Sequence, residues 1–114
     1  MQIDLDPEYQ RIIDNIKSRL LAAIHPEAIL LFGSGARGEV CEDSDIDLLV
    51  VWDERLDISN IKRQILLRKL IGSVERPVDL LTCSTEELND SLFKAHPFTK
   101  EIIEEGVVLY GRLQ

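Results

Sequence analysis

"LFGSGARGEVCEDSDIDLLV", residues 31–50, decides how this chain folds. Three readings compete for its glycines. Gly33, Gly35 and Gly38 spell the dinucleotide-binding pattern G-x-G-x-x-G, and Asp53 lies twenty residues after Gly33, where a ribose-binding acid would stand. That fold needs an amphipathic crossover helix between its first two strands, about a dozen residues long. Only "EVCEDSD", residues 39–45, separates Gly38 from the next strand, and its apolar residues are Val40 and Cys41. Such a segment can turn the chain but cannot cover a sheet. The P-loop reading fails on chemistry, because Glu39 and Val40 replace the Lys and the hydroxyl that hold phosphate and metal.

The third reading joins the loop to the acidic strand after it: Gly33-Ser34, ten residues, then Asp45-Ile46-Asp47, or G-S-x10-D-x-D. Gly33 lets a strand turn sharply into a short helix, whose electropositive start and Ser34 hydroxyl suit a phosphate. Asp45 and Asp47 are i and i+2 on a strand and share a face. At about 7 Å and an effective dielectric near 20 they repel by roughly 2 kcal/mol. Leu49 and Val51 continue that face into the core. Two acids at the rim of an apolar face are poor structure and good Mg²⁺ ligands. "VDLLT", residues 78–82, echoes "IDLLV", residues 46–50, so pairing of the two strands would bring Asp79 to the pair as a third carboxylate. Three converging carboxylates can hold two metal ions for in-line attack at phosphorus.

Around this motif the chain alternates helix and strand. Asp6-Pro7 reads as an N-cap with Pro at the first helical position, and Tyr9, Ile12, Ile13, Ile16, Leu20 and Ile24 form one apolar stripe up to His25-Pro26. "AILLF" (28–32), "DIDLLVVW" (45–52), "RPVDLLTCS" (76–84) and "VVLY" (107–110) read as strands. Asp57 is expected to cap a helix over 58–71 that Gly72 ends; further helices are expected from Thr85 toward Phe93 and over 97–105. The order gives an α/β class with a small mixed sheet flanked by helices.

At 114 residues the chain is expected to form one domain over 1–114, long enough to bury roughly 65% of its unfolded surface. Net charge is −8, from 13 basic and 21 acidic residues. That opposes stable nucleic-acid binding, which needs clustered Lys and Arg. Cys41 and Cys83 lie in no CxxC pair, and the N-terminus has no apolar signal core. The apolar runs are too short to span a bilayer. The expectation is a cytoplasmic protein with no membrane contact.

On these residues the chain resembles the nucleotidyltransferase superfamily that includes DNA polymerase beta and kanamycin nucleotidyltransferase. "SDIDLLV", "VDLLT" and the ending "IIEEGVVLYGR" look like its minimal nucleotidyltransferase group, often encoded beside a HEPN-domain partner as a toxin–antitoxin pair. The resemblance implies that Gly33 and Ser34 hold a triphosphate with Arg37 adding charge, and that Asp45, Asp47 and Asp79 are catalytic carboxylates ligating Mg²⁺, two ions in all. It implies ATP as donor and AMP transfer to a hydroxyl, for HEPN-paired members a tyrosine of the toxin. The alternative it leaves is an antitoxin that neutralises its partner by binding alone. Relatives often carry Arg or another large residue after Gly-Ser, whereas this chain has Gly35.

Larger relatives add a domain for the acceptor, so the acceptor surface here is expected from a partner or a second copy. Lys62, Arg63, Arg68 and Lys69 form a basic patch that reads either as a solvated face or as a docking surface. His25 and His96 stand at element boundaries, away from the acids. Trp52, Phe32 and Tyr9 read as core.

Overall fold

The computed structural model describes residues 7–38 and 45–112. The chain runs α1 (Pro7–Ala23), β1 (Ala28–Phe32), β2 (Ile46–Val51), α2 (Asn60–Ile71), β3 (Val78–Cys83), α3 (Thr85–Phe93), α4 (Pro97–Glu105) and β4 (Val107–Gly111). Pro7 opens α1, and its Asp6 cap lies outside the described residues. The stripe from Tyr9 to Leu20 is buried as the helical spacing requires.

The four strands lie in the order β3-β2-β1-β4. β1 runs antiparallel to both β2 and β4, while β2 and β3 are parallel and joined through α2. This mixed sheet explains why seven residues suffice between Gly38 and β2. An antiparallel pair needs only a turn, and the crossover helix belongs to the next connection.

Strand alternation divides the core. Ile29, Leu31, Ile46, Leu48, Val50 and Leu80 pack under α1 and α2 with Tyr9, Ile12, Ile16, Leu67 and Ile71. Ala28, Leu30, Leu49 and Val51 pack on the other face against Leu88 of α3 and Ile102 of α4, with Phe32, Leu81 and Cys83 alongside. β1 and β2 are covered on both faces, hence their nearly unbroken aliphatic runs. Phe32 is only half-buried, its ring meeting Phe98 edge-on at 5.9 Å, whereas Tyr9 and Trp52 are fully buried as expected.

α2 departs from the sequence reading in two ways. Its cap is Ser59, whose side chain accepts from the Lys62 N–H at 3.2 Å, while Asp57 pairs with Arg55 at 3.1 Å. Its basic residues form no single patch, because Arg63 is 2% exposed. The Arg63 guanidinium donates to the Trp52 carbonyl, lies 5.2 Å from the Trp52 ring centre and approaches Glu87 at 3.7 Å. These contacts offset part of the cost of burying the charge, while its Nε has no hydrogen-bond partner.

α2 also seals the outer edge of β3. Asn60 donates to the Thr82 carbonyl at 2.7 Å, and Gln64 donates to the Leu80 carbonyl. Amides four residues apart on the helix meet carbonyls two apart on the strand, and an exposed sheet edge is thereby capped. Among the described residues no helix is long and apolar enough to cross a membrane.

Candidate active site

Register assembles the site. Phe32, the last residue of β1, is the Cα partner of Asp47, and Asp47 is the Cα partner of Asp79. Asp47 lies on the same face as Leu49 and Val51, and Asp79 on that of Leu81 and Cys83, so both acids stand at the end of the sheet face that α3 and α4 cover. Asp45 immediately precedes β2 and is exposed.

The turn out of β1 rests on Asp47. Gly33 has φ +72°, and a side chain there would collide with the Asp47 carboxylate. Both facts call for glycine. Residues 33–38 form a turn, with the Arg37 N–H bonded to the Gly33 carbonyl at 3.2 Å and the Gly38 N–H to that of Gly35 at 3.3 Å. The short helix expected here is one such turn within the described residues. Cys41 and Ser44 lie outside them.

Gly35, the departure from the family pattern, has a local cause. A Cβ at this position would stand 2.5 Å from the Tyr9 hydroxyl. That hydroxyl donates to the Asp45 carbonyl at 3.0 Å, and the Arg76 guanidinium lies 5.1 Å from the ring centre. Sequence reading assigned Tyr9 to the core and missed this contact. The one signal was a polar-tipped residue at the head of an otherwise aliphatic stripe.

The electrostatics at Asp47 are unfavourable to its charge. Burial pushes the Asp47 carboxyl above its ordinary range, Asp79 and Asp45 push it further, and Arg37 partly offsets them. Burial also raises the Tyr9 phenol to about 12, with Asp47 and Asp45 adding to the shift. Arg37 meets Glu105 of α4 at 3.8 Å, and Arg68 approaches Asp79 at 4.0 Å. Both of those carboxylates are solvent-accessible. Among the described residues no three acidic, His or Cys side chains stand close enough to enclose one metal ion. Asp45, Asp47 and Asp79 nonetheless offer hard carboxylate oxygens, and a cation beside Asp47 would relieve the repulsion there, a chemistry that fits Mg²⁺.

The remaining candidates fall elsewhere. Asp53 accepts from the Thr85 N–H at 2.7 Å and its hydroxyl at 2.8 Å, at the start of α3. A surface cavity at that end of β2 and β3 is lined by Asp53, Leu56, Thr85 and Phe93 and includes none of the three site acids. His25 and His96 are exposed, His96 capping α4. Cys83 is a free thiol, pushed up to about 11 by burial.

Known proteins resemble this chain in sequence and fold. A protein of Methanocaldococcus jannaschii named as a protein adenylyltransferase is 33% identical over 102 residues, 89% of this chain and 93% of that one. A chain of a toxin–antitoxin structure solved with AMP-PNP superposes with a TM-score of 0.56 at 25% identity, covering 94% of this chain and 75% of that one. A nucleotidyltransferase crystal structure from Sulfolobus solfataricus shares the fold at 20% identity, with a TM-score of 0.53 and coverage of 92% and 78%. Residues 14–114 match the profile described as polymerase beta, nucleotidyltransferase. The chain belongs to the polymerase beta nucleotidyltransferase family as a nucleotidyltransferase.

Proposed function

We propose that this chain transfers AMP from ATP to a tyrosine hydroxyl of a HEPN-domain toxin, acting as the antitoxin of the pair. The observation that carries the reading is the pairing of Asp47 with Asp79 beside the Gly33 turn. The adenylyltransferase name of the relative and the toxin–antitoxin setting of the structural neighbour support it.

Gly33, Ser34 and Arg37 bind the triphosphate through turn N–H groups, a hydroxyl and a guanidinium. Two Mg²⁺ ions held by Asp45, Asp47 and Asp79 would supply charge neutralisation at the phosphates. The acceptor oxygen attacks the α-phosphorus, the bond to the bridging oxygen breaks, and pyrophosphate leaves with the electron pair. Asp79, at the open end of the row, accepts or directs the hydroxyl proton toward solvent. Positioning and charge account for the rate in such chemistry.

The alternative is an antitoxin that acts by binding alone. Incubation in source-cell lysate with ATP labelled at the α- or γ-phosphate separates the two. A protein band labelled from α only, and lost in Asp45→Asn/Asp47→Asn, establishes AMP transfer and identifies the acceptor. An unlabelled partner that the double variant still binds and neutralises establishes occlusion.

A further inference from the structure

We propose that Tyr9 is a positioning residue for nucleotidyl transfer, its phenol pinning the entry to β2 against the phosphate-side turn. This rests on the assignment of Asp45 and Asp47 as the site acids.

Three segments of the site meet at this one side chain. The hydroxyl donates to the Asp45 carbonyl at 3.0 Å, a contact across 36 residues. It also fills the space beside Gly35, where a Cβ would stand 2.5 Å from the oxygen and 3.2 Å from the ring carbons. The Arg76 guanidinium covers the ring at 5.1 Å, just before Pro77, whose carbonyl accepts the Ile46 N–H at 3.0 Å. Tyr9 itself is 0% exposed on α1, the helix that closes the opposite face of the sheet. A core helix with aliphatic residues alone would bury as much surface and fix none of these segments.

The hydrogen bond goes to the backbone of Asp45, so it sets where β2 begins without competing for the carboxylate. Gly35 and Tyr9 form a complementary pair: the loop gives up a side chain and the helix supplies a phenol in its place. The turn and the acid strand are thereby held at a fixed separation before any ligand arrives, which is preorganisation of a charged site.

Tyr9→Phe keeps the ring and the Arg76 contact and removes only the hydroxyl. Two measurements compare wild type and variant: calorimetric binding of Mn²⁺–ATP, and amide hydrogen exchange across the chain. The expected result is binding weakened about five-fold, the effect of one hydrogen bond. Faster exchange should accompany it, confined to Gly35, Ala36 and the Asp45–Asp47 segment. Gly35→Ala should weaken binding more than this in the wild type and less in the Tyr9→Phe background, where the clashing oxygen is gone.

Unchanged Mn²⁺–ATP affinity in Tyr9→Phe overturns the proposal, even with a lower melting temperature or faster exchange, because the phenol would then serve the fold alone. A wild type that binds no Mn²⁺–ATP breaks the proposed function instead. The positioning role for nucleotidyl transfer falls with it, and the wild-type titration tells the two failures apart.

Discussion

The two ends of β2 treat their carboxylates in opposite ways. At the C-terminal end Asp53, Glu54 and Glu87 have structural occupations. Asp53 accepts two bonds from Thr85, and Glu87 closes a capping box with Ser84. Glu54 accepts from the Trp52 indole at 2.9 Å and the His25 N–H at 3.0 Å, and these bonds draw its carboxyl below the ordinary range. At the N-terminal end Asp47 is pushed upward by burial and by its acidic neighbours. One end of the strand holds the fold together; the other carries a charge unfavourable to the fold. Natural proteins break local rules at functional sites and compensate elsewhere.

The largest expected effect breaks the functional end. Asp45→Asn/Asp47→Asn should lower AMP transfer about a thousand-fold or more. Without metal its melting temperature should match or exceed that of the wild type, because a repulsion is removed. A parallel loss of stability, read by thermal unfolding, would mean that the acids serve the fold.

Arg63→Ala should do the reverse. It removes a buried side chain, a ring contact with Trp52 and a bond to the Trp52 carbonyl, costing about 2–4 kcal/mol. Urea unfolding measures the loss, while nucleotide affinity per folded molecule should hold. Asp53→Ala strips the Thr85 contacts from the start of α3 and should cost about 1 kcal/mol.

The smallest effect sharpens the contrast through pH. Asp47 has a raised folded pKa, so the metal-free fold binds its proton more tightly than the unfolded chain. Stability is therefore lost as pH rises through that folded pKa, and Asp47→Asn should abolish this slope. Glu54 has a lowered folded pKa, so its contribution is present above the unfolded value and is lost as pH falls through the folded one. Melting temperatures of Asp47→Asn and Glu54→Gln across the acid range should diverge from wild type in opposite directions. Parallel curves would remove the distinction.

Much of this was legible in the sequence. The aliphatic strands announced themselves, and Asp47 and Asp79 at corresponding places in "IDLLV" and "VDLLT" foretold their pairing. Gly33 followed from the sharp turn it makes. The misses share a physical cause, since each was settled by a partner distant in the chain. Asp57 and Ser59 are both competent caps, and Asn60 reaching Thr82 fixes where the helix begins. Arg63 reads as a solvated charge until Trp52 and Glu87 fold around it. Gly35 reads as a lost side chain until Tyr9 packs beside it.

The parallel register of β2 and β3 carries one more consequence. A slip of one residue would turn Asp79 to the face beneath α2 and Leu80 to the face of α3 and α4, reversing every side chain of the strand. Burying that carboxylate unpaired is far costlier than any misalignment could recover. The hydrophobic core thus acts as a proofreader for the chemistry. A molecule that has reached its folded state has thereby already aligned Asp47 with Asp79, the pair on which the proposed transfer rests.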